Sequence, residues 1–271
     1  MNVVWLGEPT TPESVGTKGF RLSVMTRSGL PVPDGFCVPI DFMKSITAED
    51  FERELAKLPS TAVAVRSSAC GEDGVEFSFA GIYKSILNVA GGPQVWSAVQ
   101  EIRQSAQSSA AQSYRRRLGI GESPAMAAVV QTLLHSDAAG VLFMQDPVDR
   151  SDHIVVEGSW GLGESVVSGS VTPDRWTLTQ DGKILSAEIS NKETLMIPGE
   201  SGTVQIEVTE DRRVMPCLTP ENLEELVTLA RRSQQLFEEP QDLEWTVADG
   251  RVWLLQSRPI TGAQRRISRQ S

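Results

Sequence analysis

The sequence DLEWTVADGRVWLLQSRP, residues 242–259, contains two alternating strands separated by an Ala-Asp-Gly turn signal. A three-residue loop over 248–250, with Gly250 in the left-handed conformation, predicts an antiparallel hairpin in an even register. A two-residue turn would mix the two faces, because successive side chains alternate between them. The even register gives an apolar face of Leu243, Trp245, Val247, Trp253 and Leu255, and a polar face of Asp242, Glu244, Gln256 and Arg258.

The polar face of this hairpin has the oxygen atoms that a hard cation prefers. The carboxylates of Asp242 and Glu244 and the amide oxygen of Gln256 suit Mg²⁺, which takes its remaining ligands from water and phosphate. Arg258 would bind a phosphate through its planar guanidinium. The alternative is the solvent-exposed side of an ordinary hairpin, and the hairpin alone does not decide between the two.

Two cationic residues earlier in the chain point to the same ligand. Lys18 lies at a glycine-flanked helix start in GTKGF, where a solvated lysine is the simpler interpretation, and Arg66 ends a strand in AVRSSACGEDG. Ser67 and Ser68 begin a predicted loop of small residues whose amides could approach a polyphosphate. The sequence has neither a Walker A loop nor a complete G-x-G-x-x-G. Phosphoryl transfer relies on cations, amides and Mg²⁺, so an ATP-using enzyme is the leading class.

Composition limits the other classes of function. The 271 residues carry 35 acidic and 25 basic side chains, a net charge of −10 that argues against nucleic acid as a partner. No apolar run approaches the roughly 18 residues of a membrane span, and the start lacks a basic leader, so we expect a cytoplasmic protein with no membrane partner. Cys37, Cys70 and Cys217 lack the spacing of a zinc site or a disulfide framework, and His135 and His153 cannot form a metal cage.

Apolar periodicity and turn signals give a coarse map of the elements. Helices are predicted over 93–118 and 220–237, the second with a cap at Thr219. The apolar segments 126–134 and 139–144 are expected to be neighbouring strands joined by a short turn. The chain is therefore predicted to be a mixture of strands and helices in one compact unit.

Blocks of sequence across nearly the whole chain resemble one known family in the same order. These blocks are GTKGFRLSVM, AVRSSACGEDGVEFSFAG, SDAAGVLFMQDP, EGSWGLGESVVSGSVTPDRW, and DLEW with LLQSRPIT. The chain resembles the N-terminal ATP-binding domain of phosphoenolpyruvate synthase and pyruvate phosphate dikinase, a variant of the ATP-grasp fold shared with rifampicin phosphotransferase. The resemblance implies an α+β fold of two lobes, each a sheet plus helices, with the nucleotide cleft between them. It implies a domain over 1–263 and a basic, flexible tail over 264–271.

The resemblance also assigns roles to residues of this chain, with ATP and Mg²⁺ as cofactors. It implies that Lys18, Arg66 and Arg258 act on the ATP phosphates as catalytic residues. Glu244 and Gln256 would hold Mg²⁺, supported by Asp242. The remaining nucleotide contacts implied are Ser67, Ser68, Gln131, the backbone of Leu133, and Lys192.

The phosphoryl acceptor is expected to come from elsewhere. In the resembling enzymes ATP phosphorylates a histidine on a separate swivelling domain, and His135 and His153 occupy variable positions of the blocks. We therefore expect a stand-alone ATP-binding component and a separate protein with a phosphohistidine domain and the site for pyruvate or another acceptor. Two alternatives stay open: a non-catalytic nucleotide-binding regulatory module, and the ATP-binding part of an antibiotic kinase similar to rifampicin phosphotransferase.

Overall fold

The first half of the chain builds a five-stranded antiparallel sheet with helices. A computed structural model describes residues 3–70, 84–108, 112 and 126–260. The strands lie in the order β1-β2-β5-β3-β4. They are β1 (Val4–Trp5), β2 (Gly35–Val38), β3 (Ala62–Ala69), β4 (Ser85–Ala90) and β5 (Met126–Thr132). The helices of this first lobe are α1 (Pro12–Arg27), a short 3-10 turn (Ile40–Phe42), α2 (Ala48–Leu55) and α3 (Gly92–Ser105).

One face of this sheet packs on α2 and α3. Thr47 and Asp50 form a capping box that starts α2, so its first turn is satisfied by its own side chains. The apolar faces of the two helices bury a core against alternate residues of the strands. This core includes Phe36, Phe51, Val63, Val65, Val99 and Ile102.

The second half of the chain builds a six-stranded antiparallel sheet in the order β13-β12-β6-β7-β8-β9. Its strands are β6 (Ala138–Phe143), β7 (Ile154–Trp160), β8 (Asp174–Leu178), β9 (Ile184–Glu188), β12 (Gln241–Ala248) and β13 (Arg251–Pro259). A separate hairpin consists of β10 (Thr194–Pro198) and β11 (Thr203–Glu207). The helices of this second lobe are α4 (Glu164–Val167), α5 (Glu210–Arg213) and α6 (Pro220–Phe237).

Helix α1 lies between the two sheets. It contacts β3 and β5 on one side and β13 on the other. Its buried residues Leu22 and Met25 belong to the same apolar cluster as Trp245 and Leu254 of the second lobe. The two lobes therefore share one core through α1.

The structure corrects two of the expected elements and confirms a third. The segments expected to be neighbouring strands are β5 and β6, which belong to different sheets, so residues 133–137 carry the chain from one lobe to the other. The helix expected over 93–118 is shorter: α3 ends at Ser105, and residues 109–111 and 113–118 lie outside the described residues. The helix over 220–237 is confirmed as α6, with the predicted cap at Thr219.

The hairpin β12–β13 forms as predicted but in a different register. Its turn has two residues, Asp249 and Gly250, both with positive φ, the conformation that an Asp-Gly pair favours. The predicted three-residue loop is therefore wrong. Leu255 then enters as an extra residue, a β-bulge that restores the even register towards the base of the hairpin. The buried apolar side chains are consequently Leu243, Trp245, Val247, Val252 and Leu254, whereas Trp253 and Leu255, expected on that face, are only partly buried.

Other expectations concern the thiols and the ends of the chain. Cys37, Cys70 and Cys217 are all free, as expected, and burial raises the pKa of Cys37 to about 12. The expected tail over 264–271 lies outside the described residues. Within the described part of the chain, none of the helices combines the length and the apolar character that crossing a bilayer requires.

Candidate functional site

Arg66 of β3 connects the two lobes. Val63 and Val65 face the first-lobe core, so alternation along the strand directs Arg66 to the opposite face. There its Nη1 donates a hydrogen bond to the carbonyl oxygen of Leu255 at 2.8 Å, and its Nη2 pairs with Oε2 of Glu244. The Nε atom of Arg66 is buried and has no hydrogen-bond partner among the described residues. The Nε–H group of the guanidinium is thus left for a further acceptor.

Glu244 lies at the centre of a cluster of positive charges. Burial favours the neutral form of its carboxyl group, but the charges of Arg66, Lys18 and Arg258 outweigh burial and hold the pKa of Glu244 below its usual value. The Glu244 side chain is 20% exposed. A charged carboxylate that water can still reach is available to a ligand entering from the cleft.

The polar residues of the hairpin lie together on the face that the sequence predicted. Glu244 lies directly opposite Gln256, and Asp242 lies directly opposite Arg258. Nε of Arg258 donates a hydrogen bond to Oδ2 of Asp242 at 2.6 Å. Opposite-charge pairs across neighbouring strands stabilise a hairpin, and this one holds both side chains at the edge of the cluster.

A kink in α1 positions Lys18. Gly16 has φ +72°, and a Cβ atom there would lie 2.2 Å from the carbonyl oxygen of Ser68, so only glycine allows α1 to lie this close to β3. The hydroxyl of Ser68 donates to the carbonyl oxygen of Val15 at 2.6 Å and accepts from the amide of Gly19 at 3.0 Å. Lys18 follows the kink, and its side chain is buried close enough to Glu244 to lower that residue's pKa.

The donor set of the cluster fits Mg²⁺. Glu244, Gln256 and Asp242 supply two carboxylates and an amide oxygen on one face of adjacent strands, the hard ligands that this ion prefers. The described residues contain no group of three or more His, Cys, Asp and Glu side chains arranged to enclose a metal. Phosphate oxygens and water would therefore have to complete the coordination.

The predicted serine contacts lie in a strand instead of a loop. Ser67 and Ser68 are the sixth and seventh residues of β3, paired with Ala128 and Ala127 of β5. The Ser67 amide donates to the carbonyl oxygen of Lys84 at 3.2 Å, so it already has a partner. The expectation that these residues open the loop is wrong, because β3 continues to Ala69, and the loop itself, residues 71–83, lies outside the described residues.

Gln131 and Leu133 lie where the chain leaves the first lobe. Nε2 of Gln131 donates to the carbonyl oxygen of Pro33 at 3.2 Å, and the Leu133 amide donates to that of Ala62 at 3.0 Å. These groups brace the end of β5. The contact with the nucleotide that the resemblance implies for them stays a prediction.

Lys192 is not part of the cluster. Its Nζ pairs with Oδ1 of Asp174 at 2.5 Å, and both side chains are fully buried. The register across β12, β6, β7 and β8 puts Glu244, Glu157 and Arg175 on one face of the second sheet. Asp174, next to Arg175 in the strand, therefore faces the other way, and Lys192 lies on the opposite side of the sheet from the cluster around Glu244.

The sequence interpretation missed the Leu255 carbonyl group as a partner of Arg66. Leu255 is the bulged residue, and bulges expose backbone groups that a regular ladder would use. The available signal was the Asp-Gly pair at 249–250. An Asp-Gly turn requires a compensating bulge if the polar residues at the base are to share one face.

The fold and the cluster define a class of protein: two lobes of sheet and helices in which cationic side chains of one lobe lie beside the oxygen-bearing hairpin of the other. The model of the family described as pyruvate phosphate dikinase, AMP/ATP-binding domain, matches residues 46–271. The chain belongs to this family. The expected α+β fold of two lobes, each a sheet with helices, is confirmed.

Three curated proteins are similar to this chain. A prodigiosin-synthesizing transferase, PigC, of Serratia marcescens is 36% identical over 92% of the chain and 32% of its own length. A probable phosphoenolpyruvate synthase of Methanocaldococcus jannaschii is 32% identical over 96% of the chain and 26% of its own length. A rifampicin phosphotransferase of Streptomyces sviceus is 32% identical over 91% of the chain and 34% of its own length. The chain thus spans about a third or less of these relatives.

Among solved structures, a dinucleotide-forming acetyl-coenzyme A synthetase of Ca. Korarchaeum cryptofilum is similar with a TM-score of 0.46 and 14% identity. The likeness covers 89% of this chain and 90% of that one. Family membership rests on the sequence matches.

Proposed function

We propose that this chain is the ATP-binding component of a phosphotransferase similar to phosphoenolpyruvate synthase, acting in the cytoplasm. It would bind Mg-ATP between its lobes and transfer a phosphoryl or pyrophosphoryl group to a histidine. The family supports ATP as the ligand, and the names of the relatives support phosphotransfer as the reaction class. The acceptor histidine would lie outside the described residues, on a carrier domain of another protein or of a longer polypeptide.

The observation that carries this proposal is the convergence of Arg66 with Glu244 and the bulged carbonyl group of Leu255. It brings a cation of one lobe to the oxygen-bearing hairpin of the other. A triphosphate with its metal ion needs both kinds of group at once. An ordinary surface hairpin would not attract a buried arginine with an unsatisfied Nε atom.

Each residue of the cluster has a task in the proposed reaction. Lys18 and Arg66 would neutralise the phosphate oxygens, and the free Nε atom of Arg66 would donate to one of them. Arg258 would bind a second phosphate through its planar guanidinium. Glu244 and Gln256, supported by Asp242, would hold Mg²⁺, which supplies charge neutralisation during phosphoryl transfer.

The phosphoryl transfer step determines how the ATP phosphates and the acceptor histidine have to be placed. The bond between the transferred phosphorus and its bridging oxygen breaks, a bond to the histidine nitrogen forms, and the nucleotide leaves with the bond electrons. In-line displacement requires the acceptor to face the terminal phosphates from the open side of the cleft. The chain's own contribution is to hold the phosphates and exclude competing water.

Labelled ATP tests the proposal. The chain is incubated with β- or γ-labelled ATP, Mg²⁺ and candidate carrier proteins, and label on a carrier histidine is the expected result. Arg66→Ala should abolish the transfer and leave the circular dichroism spectrum unchanged, whereas Lys84→Ala, which removes an exposed lysine of the same lobe, should not affect it. Normal transfer by Arg66→Ala would refute the proposed role of the cluster. ATP binding without any transfer would favour a regulatory module.

A further inference from the structure

A buried arginine joins α1 to the base of the hairpin. Arg21 is 8% exposed, and its Nε atom donates a hydrogen bond to the carbonyl oxygen of Ser257 at 2.8 Å. Its Nη2 atom donates to Oε1 of Gln241, and Cζ lies 3.7 Å from the centre of the Phe237 ring. One planar side chain thus fixes α1 to β12, β13 and the last residue of α6.

The residues that Arg21 binds are neighbours of the site. Ser257 lies between Gln256 and Arg258 on β13, and its hydroxyl donates to Oε1 of Gln241 at 2.7 Å. Gln241 is the residue before Asp242 on β12. Arg21 therefore contacts both strands of the hairpin at their base, directly beside the proposed metal-binding and phosphate-binding residues.

Arg21 is also one helical turn beyond Lys18. Residues three apart lie on neighbouring positions of a helix surface, so a displacement of Arg21 moves Lys18 with it. The charge of Lys18 lowers the pKa of Glu244, and attraction between charges is not directional. The hydrogen bonds of Arg21 to Ser257 and Gln241 are directional and fix a distance.

We propose that Arg21 is a positioning residue that holds Lys18 in register with the metal-binding face of the hairpin. This inference rests on the proposed function. Arg21 makes ATP binding and Mg²⁺ binding cooperative, because it keeps the phosphate-binding lysine at a fixed distance from the metal-binding oxygens. Without Arg21, ATP still contacts Lys18 and Arg66, but Mg²⁺ binding at the hairpin no longer strengthens ATP binding to the same extent.

The test measures ATP affinity by titration calorimetry with and without Mg²⁺, together with thermal unfolding. The ratio of the two affinities reports the cooperativity. We expect Arg21→Met to lower this ratio about tenfold or more, as small misplacements in such sites do. Arg21→Lys keeps the charge but has no planar fork, so it should fall between wild type and Arg21→Met. It carries the test if Arg21→Met does not fold.

Arg232→Met is the matched control. Arg232 of α6 binds the turn that follows α1, where its Nη2 lies 3.2 Å from the carbonyl oxygen of Gly29. It should leave the affinity ratio unchanged. Wild-type ratios in Arg21→Met and Arg21→Lys, whatever their unfolding temperatures, would refute the role of Arg21 alone. A wild-type protein whose ATP affinity does not respond to Mg²⁺ would refute the proposed metal site, and the inference with it.

Discussion

Two ion pairs of this protein have the same chemistry and different surroundings. Arg66 and Glu244 pair across the cleft between the lobes, with side chains 12% and 20% exposed. Lys192 and Asp174 pair inside the second lobe, with both side chains fully buried. Asp174 also accepts hydrogen bonds at 2.8 Å from the amides of Ser190 and Cys217.

The difference is in access to solvent: water reaches the cleft pair, Arg66 and Glu244, but not the sealed pair, Lys192 and Asp174. The protein itself satisfies the Asp174 carboxylate on both oxygens, so the sealed pair has a structural role. In the cleft, water reaches Glu244, and Arg66 has a donor that no described residue uses. Under the proposed function, a triphosphate and a metal ion would replace that pair with stronger partners. Charge in the cleft would then serve binding, and charge behind the sheet would serve folding.

The largest expected effect is that of breaking the sealed pair. Lys192→Met leaves the Asp174 charge buried without a cation, which should cost about 3–5 kcal/mol of unfolding free energy. Urea denaturation measures it. Lys183→Met, which removes an exposed lysine of the same lobe, is the control and should change stability by less than about 0.5 kcal/mol. If the two variants were equally stable, Lys192 would be free for another role, including nucleotide binding.

Glu244→Gln should affect the ligand more than the fold. The substitution replaces a carboxylate oxygen with an amide oxygen and removes the charge that attracts Mg²⁺. The gain in ATP affinity from Mg²⁺ should therefore fall about 10- to 100-fold, and the unfolding free energy should fall by about 1 kcal/mol or less. Titration calorimetry and urea denaturation give the two values. The matched variant Asp174→Asn should show the reverse pattern. If both variants lost the same amounts of stability and of Mg²⁺-dependent ATP affinity, the two pairs would not differ in role.

Acid should weaken the pair of Arg66 and Glu244. The pKa of Glu244 in the folded protein is below its usual value of 4.5, so the carboxylate stabilises the folded state above that value. This contribution is lost as the pH falls through the lowered pKa. The stability difference between wild type and Glu244→Gln, about 1 kcal/mol at neutral pH, should therefore shrink below pH 4.5. A difference that grows on acidification would contradict the direction of the shift.

Salt should have the smallest effect, and it should weaken the cleft pair more than the sealed pair. Mobile ions screen charges that water reaches much more than buried ones. Raising NaCl from about 0.05 M to about 0.5 M should reduce the coupling energy of Arg66 and Glu244 by a few tenths of a kcal/mol. That of Lys192 and Asp174 should stay constant. Double-mutant cycles at both salt concentrations measure the two energies, and equal salt dependence would show that both pairs are solvated.

The sequence predicted the polar face of the hairpin correctly for a partly wrong reason. Alternation of side chains along the strands predicted one shared face for Asp242, Glu244, Gln256 and Arg258, and they share it. The turn assumed for this was one residue too long, and a bulge at Leu255 supplies the missing residue. The Asp-Gly pair at 249–250 was a local signal for the shorter turn, but the position of the compensating bulge depends on contacts with other elements, here the bond from Arg66 to Leu255.

Other differences arise from contacts between distant segments. Apolar runs identify β5 and β6, but they do not say which sheet each strand joins, since that depends on pairing partners far away in the chain. In the sequence alone, nothing distinguishes Lys192 from a lysine that binds a nucleotide. Only the register across four strands shows that it lies behind the sheet, against Asp174.

Residues 133–137 carry the chain from the first sheet to the second, yet α1 contributes Leu22 and Met25 to a core that the second lobe completes. A fragment ending near residue 135 would leave these side chains without the surface that buries them. The halves should therefore melt in a single transition and fail to fold when expressed apart. Nucleotide binding would then stabilise the whole protein at once, not one lobe of it.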